Sequence, residues 1–181
     1  PVEGLRLGST LSWSEFTMDG GATFAVPPGT STYDTDVRDQ TVAVASAEYV
    51  HGPLTLASEV MYGLVDATYD FASPLKAGYD IDYQGGYLKA DYRFNEWLVC
   101  GGGYSYFTYD QGVSGIAPST QTFEDDQKDV FMSLRFDVTK NLILKVEQHF
   151  IKGTAGVLKF QNPDGLDDDW SMTLLKVSYV F

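Results

Sequence analysis

The feature that most constrains this chain is an alternation of apolar and polar side chains with a period of two. The alternation recurs in eight segments. Successive side chains of a β-strand point to opposite faces, so this period predicts eight strands with two unlike faces. The segments lie near residues 4–14, 41–50, 53–64, 82–94, 97–109, 128–138, 141–152 and 170–181.

The connections between these segments alternate in length. Three are very short, namely His51-Gly52, Asn95-Glu96 and Thr139-Lys140, and four are long and polar, near 15–40, 65–81, 110–127 and 153–169. Short turns at one end and long loops at the other are typical of outer-membrane barrels. The pattern predicts an all-β, antiparallel up-and-down transmembrane β-barrel with about eight strands in this chain. Residues 1–181 would form one such domain or the C-terminal part of one, in the outer membrane of a Gram-negative bacterium.

Aromatic side chains cluster near the ends of the expected strands, where the interfacial girdles of a membrane barrel belong. A soluble sandwich or lipocalin-like barrel, which is the alternative, does not require such clusters. The expected girdle residues are Trp13, Phe94, Trp97, Tyr104, Tyr106, Trp170, Tyr179 and Phe181.

Composition excludes several other classes of protein. No stretch approaches the roughly 20 apolar residues that a membrane helix needs. The formal charge of −13 argues against nucleic-acid binding. Cys100 is the single cysteine, so no intrachain disulfide can form.

The strand faces opposite the apolar ones carry charges of both signs. In the sixth segment, for example, Leu134 lies on the apolar face and Arg135 on the polar one. Charged groups on an inner face need water or paired partners, because unpaired charge is costly in a dry interior. We expect twelve residues to line the interior: Arg6, Glu48, Glu59, Lys89, Asp91, Arg93, Arg135, Asp137, Lys145, Glu147, His149 and Lys176.

No catalytic constellation emerges from the sequence. His51 falls in an expected turn, and no serine is placed by any sequence rule to pair with His149. Acidic residues occur in the loops, but their spacing fits no EF-hand. We therefore expect no enzymatic activity, no cofactor and no protein-held metal.

The C-terminal residues Lys176-Val177-Ser178-Tyr179-Val180-Phe181 end an alternating strand on an aromatic side chain. They resemble the terminal signal that the outer-membrane insertion machinery reads. That signal usually has a glycine where this chain has Lys176. The resemblance implies that Tyr179 and Phe181 carry the assembly signal.

Other segments resemble bacterial porins of the phosphate-selective-porin-like group. These are Gly4–Gly8, Ala47–Tyr49 with Leu54–Glu59, and Tyr87–Phe94 running into Tyr104–Tyr106. Barrels of that group are about twice as long as this chain. The resemblance therefore implies that the chain is the C-terminal, closing half of a barrel of about 16 strands.

Two functions remain open at this point. The first is a porin or channel for passive diffusion of small solutes, with its basic residues favouring anions. The second is a small, closed eight-stranded barrel with an ion-paired interior, acting through its loops as an anchor, adhesin or scaffold. Either would have lipid, lipopolysaccharide and the insertion machinery as partners, and either could form homo-oligomers or join other membrane subunits.

Overall fold

The computed structural model describes residues 2–18, 24–26, 29–31, 33–71, 76–114, 126–155 and 167–180. All of the regular secondary structure in these residues is β-strand, which confirms the all-β prediction. Within the described residues there is no helix long and apolar enough to cross a bilayer.

Eight strands form one antiparallel sheet, and two short strands form a separate hairpin. The sheet order is β1-β4-β5-β6-β7-β8-β9-β10, so neighbours in the sheet follow one another along the chain. The short strands β2 and β3, which follow β1 and precede β4 along the chain, pair with each other. The bounds are Leu5–Met18 (β1), Phe24–Val26 (β2), Gly29–Ser31 (β3), Tyr33–His51 (β4), Leu54–Phe71 (β5), Lys76–Arg93 (β6), Leu98–Ser114 (β7), Asp126–Asp137 (β8), Leu142–Gly153 (β9) and Asp169–Tyr179 (β10).

The up-and-down order confirms the expected topology. Every pair of neighbouring strands is antiparallel. The connections β4–β5, β6–β7 and β8–β9 therefore lie at one end of the sheet, here called the short-turn end. The remaining connections lie at the opposite, long-loop end, and β10 finishes at the short-turn end.

The short turns are stabilised by polar side chains that the sequence places there. Asn95 Oδ1 accepts the backbone N–H groups of Trp97 and Leu98, both at 2.9 Å. Thr139 Oγ1 accepts the N–H of Leu142 at 3.0 Å. Gly52 has a φ of +55°, a left-handed conformation that glycine adopts readily.

Several strands are longer than the sequence pattern indicated. The predicted segment 41–50 is part of a strand that begins at Tyr33, and the segment 53–64 continues to Phe71. The extensions lie at the long-loop end, within stretches expected to be loops. The sequence of 33–40 is mostly polar and has no clear period of two, whereas 65–71 keeps the alternation and was nevertheless expected to be a loop.

The sheet is open in the structure. Within the described residues, β1 and β10 make no backbone pairing with each other. The sheet is nevertheless curved. Its curvature is evident from a single cavity that is lined by residues of β4, β6, β8 and β10. The eight strands thus form a partial barrel.

No dry core fills the curve of the sheet. Among the described residues, none of the large side chains is fully buried, and Ile151 and Ala155 are the buried apolar ones. The guanidinium-bearing side chain of Arg6, on β1, is 80% exposed. A closed barrel of eight strands would instead be filled by its own side chains.

Candidate functional site

The candidate site is the inner wall of the sheet, and it is defined by contrast with the outer face. On the outer face, large apolar side chains are exposed on strand after strand. Leu7 on β1 is 75% exposed and Leu175 on β10 is 77% exposed. Exposed apolar surface on this scale marks contact with a membrane or a partner.

Each outward apolar row ends in a charged residue at the long-loop end. On β5, the outward positions run from Leu54 to Leu64, and Asp66 follows. Asp39 and Asp66 are direct partners across β4 and β5. The exposed charged residues that follow the rows are Glu15, Asp39, Asp66, Asp82, Asp110, Asp126, Lys152 and Asp169. Sequence reasoning missed this belt, because most of its members fell outside or at the edges of the predicted strands.

The height of the apolar band can be estimated from β5. Ten residue steps separate Leu54 from Leu64, which corresponds to about 33 Å along a strand. A strand tilt of about 40° reduces this to about 25 Å, the height of the apolar band on outer-membrane barrels.

Aromatic side chains border the band at both ends. At the long-loop end, the indole Nε1 of Trp13 donates a hydrogen bond to Asp39 Oδ1 at 3.1 Å. At the short-turn end, Trp97 stacks on Phe136 with ring centroids 6.2 Å apart. Of the expected girdle residues, Trp170 is wrongly assigned to the outer face. It pairs across from the buried Ile151, and its Nε1 donates to the carbonyl of Gly153 at 3.2 Å.

The structure places all twelve predicted lining residues on the inner face. Register pairing connects them from strand to strand, as for Arg6 with Glu48 and Arg135 with Lys145. A cavity of about 680 Å³ lies against the part of this face near the short-turn end. Its wall includes five basic side chains, those of Lys89, Arg93, Arg135, Lys145 and Lys176.

Four of these basic residues form one row across the sheet. Arg93 pairs with Val99, Val99 with Arg135, Arg135 with Lys145, and Lys145 with Lys176. The row crosses five strands at one level, perpendicular to the chain direction. The sequence indicated which face these residues share, whereas their common level depends on the strand register.

One carboxylate connects the two arginines of the basic row. Asp137 Oδ2 accepts from Arg93 Nη1 at 3.0 Å, and Asp137 Oδ1 accepts from Arg135 Nε at 2.7 Å. Arg93 is on β6 and Asp137 is on β8, so the bridge passes over β7. On β7, the residue at the level of the basic row is Val99. Its side chain leaves space for this bridge.

The remaining lysines are paired unequally. Lys89 binds Asp91 at 2.9 Å, and Lys145 binds Glu147 at 2.7 Å. Lys176 makes no ion pair within the described residues. Three carboxylates thus pair with four of the five basic residues at the cavity. Glu48, which also lines the cavity, pairs with Arg6, so two positive charges remain in excess across these residues.

Nearer the long-loop end of the wall, His149 contacts a carboxylate and an aromatic ring. Its Nδ1 lies 2.7 Å from Asp129 Oδ2, and its ring stacks on Phe131 at a centroid distance of 5.4 Å. Asp129 was not among the predicted lining residues, although its position on the polar face of β8 was evident from the alternation. Glu59 lies on the same face, across from Tyr87, and makes no ion pair within the described part of the chain.

The described residues contain no group of three or more potential metal ligands. His51 stacks on Tyr49 at a centroid distance of 6.2 Å. Of the two residues predicted to carry the assembly signal, Tyr179 is outward-facing and 60% exposed. Phe181 lies outside the described residues.

Neither a protein-family model nor a curated protein sequence matches this chain.

Proposed function

We propose that the protein forms, or contributes the wall of, an outer-membrane porin through which small solutes diffuse passively, with a preference for anions. The observation that carries the proposal is the basic row at the cavity wall. It combines four cations at one level with only two paired carboxylates, Asp137 and Glu147. Such a row in water raises the local concentration of anions and disfavours cations.

The outer face supports a membrane location. An exposed apolar band about 25 Å high, bounded by aromatic and charged residues, fits the hydrocarbon thickness of a bilayer. A soluble protein would have to leave side chains such as Leu7 and Leu175 in water. Lipid tails are the environment that suits them.

The openness of the inner wall favours the pore over the packed anchor. Ion pairs along the wall are compatible with both. A packed eight-stranded interior, however, requires β1 to pair with β10 and the inner side chains to fill the lumen. Instead, the edges are unpaired within the described residues and Arg6 is largely exposed. We therefore propose that further antiparallel strands complete the barrel at both edges.

The decisive experiment is planar-bilayer recording of the natural gene product. We expect a preference for anions that strengthens at low salt, because screening beyond about 10 Å is already strong at 0.1 M. Changing both Arg135 and Lys145 to Glu should shift the preference toward cations. Lys128→Glu is the control, since Lys128 lies on the outer face at the long-loop end. A preparation that inserts without conducting would refute the porin and leave the anchor.

Assembly offers an independent test of the outer-membrane location. Deleting Phe181 or changing Tyr179 to Ala should lower the amount of protein inserted by the assembly machinery. Val180→Ala is the matched control, because Val180 lies between the two aromatic positions. Equal insertion of all three variants would contradict the proposed assembly signal.

A further inference from the structure

A group of three aromatic rings lies on the inner wall above the charged region, on β6 and β7. Tyr83 and Tyr109 are direct cross-strand partners, and Phe107 is two residues from Tyr109. The ring centroids of Tyr83 and Phe107 are 6.2 Å apart, and those of Phe107 and Tyr109 are 6.3 Å apart. These three residues are called the aromatic patch.

Glycines on the neighbouring strands make room for two of these rings. A Cβ atom on Gly63 would collide with the ring of Tyr83, its partner across β5 and β6. A Cβ on Gly85 would lie 3.1 Å from Cδ2 of Phe107, its partner across β6 and β7. Each ring therefore lies against a glycine of the neighbouring strand. All three rings are half-buried, so they remain partly accessible from the lumen.

Polar groups free to bind a ligand flank the patch. Gln127 is the direct partner of Phe107 on β8, and Glu59 is the direct partner of Tyr87 one inward position below the patch. Neither Gln127 nor Glu59 has a side-chain hydrogen bond to any of the described residues. The residue Tyr87 is 37% exposed, and its side chain, which carries a phenolic hydroxyl, lies on the same face.

We infer that the aromatic patch binds a neutral pyranose sugar from the lumen. A pyranose ring has a C–H face that packs on aromatic rings, and its rim of hydroxyl groups suits a carboxylate, an amide and a phenol. Aromatic and apolar surface on a concave wall, with a few convergent polar groups, is the usual composition of a small-molecule site. The unpaired carboxylate of Glu59 disfavours an anionic ligand, and a purely aromatic ligand would leave Glu59 and Gln127 without partners.

This site is distinct from the anion-attracting row, although it rests on the proposed pore for access from the lumen. Eight residue steps on β7 separate Phe107 from Val99, the β7 member of the basic row. That corresponds to about 26 Å along the strand. A small sugar cannot reach both places at once, so neutral and anionic solutes would contact different parts of the wall.

The test is saturation-transfer NMR on the natural gene product folded in a detergent without a sugar headgroup. Cellobiose should give a transfer signal, whereas sorbitol, which has hydroxyl groups but no ring face, should give none. Tyr83→Leu and Phe107→Leu should each weaken cellobiose binding about 2- to 10-fold, the range expected for one lost ring contact. Phe131→Leu is the matched control. Its ring also covers a glycine, Gly103, but it is stacked by His149 and lies outside the patch.

The outcomes separate this inference from the pore itself. Binding is measured without conduction, so a non-conducting protein that binds cellobiose refutes the pore and retains the sugar site. A conducting protein with no cellobiose signal refutes the sugar site and retains the pore. Equal signals from cellobiose and sorbitol, equal loss in Phe131→Leu, or binding of indole in place of cellobiose would each overturn the assignment.

Discussion

The outer and inner faces of this sheet are made by the same strands, yet they follow different rules. On the outer face, apolar side chains predominate at every second position, and a few polar pairs such as Gln148 with Thr173 lie among them. On the inner face, specific pairs form, such as Arg135 with Asp137 and Lys89 with Asp91. The outer face therefore depends on a general apolar character, whereas the inner face depends on particular partners.

The faces also differ in how they use glycine. Inner-wall glycines make room for functional side chains of the next strand. At Gly101, an added Cβ would collide with the carboxylate of Asp91 and lie 2.9 Å from Ser133 Oγ. At the outer glycines Gly86 and Gly102, an added Cβ would instead meet backbone carbonyl oxygens, at 2.7 and 2.9 Å.

The largest expected effect compares two adjacent leucines of β10. Leu175 is outward-facing and Leu174 is inward-facing, and both are exposed. Leu175→Arg should cost about 2–4 kcal/mol of unfolding free energy if it lies near the bilayer midplane. Leu174→Arg should cost far less, because its side chain meets water. Urea titration in lipid vesicles measures both, and equal costs would break the distinction between the faces.

A second prediction concerns the close fit at Gly101. Gly101→Val should destabilise the fold by about 1–3 kcal/mol, the usual cost of overpacking. It should also displace Asp91 from Lys89 and so change the anion preference of the channel. Gly102→Val is the control. It overpacks the same strand on the outer face, where an added Cβ would lie 2.9 Å from the carbonyl oxygen of Phe131 and would not meet Asp91. An unchanged anion preference in Gly101→Val would show that the Lys89–Asp91 pair does not influence the pore.

A third prediction compares the two borders of the outer band, the one at the long-loop end and the one at the short-turn end. Trp13→Phe removes the indole N–H that binds Asp39 and should cost about 0.5–1.5 kcal/mol, the net worth of one hydrogen bond. Trp97→Phe should cost less, since it retains an aromatic ring against Phe136 and its indole has no hydrogen bond within the described residues. Unfolding in vesicles would again compare the two. A larger loss for Trp97→Phe would mean that stacking, and not the hydrogen bond, anchors the border.

The smallest expected effect is on selectivity alone. Asp137→Asn removes the carboxylate shared by Arg93 and Arg135 and adds one positive charge to the basic row. We expect a modest rise in the anion-to-cation permeability ratio, larger at low salt. Asp126→Asn changes the charge equally at the outer long-loop border and should leave the ratio unchanged. If both variants shift the ratio alike, the total charge of the protein matters more than the row.

The faces of the charged strand residues could be predicted from the sequence, whereas the inward position of Trp170 was missed. The alternation placed Leu134 outward and Arg135 inward, because side-chain direction in a strand is a local property of the backbone. The lengths of the connections predicted the topology, because short turns join antiparallel neighbours. Where the sequence is mostly polar, as in Tyr33–Gln40, the local signal was weak and that part of the strand was missed.

Which residues of different strands lie next to each other was decided only by the tertiary structure. Register depends on turn geometry and on contacts between strands far apart in sequence, neither of which the alternation encodes. Register alone brings Arg93, Arg135, Lys145 and Lys176 to one level and places Asp137 between two arginines. It also places Tyr83 and Phe107 over glycines of the preceding strands. The sequence determined which residues share the inner face, and the pairing of the strands determined which of them lie together.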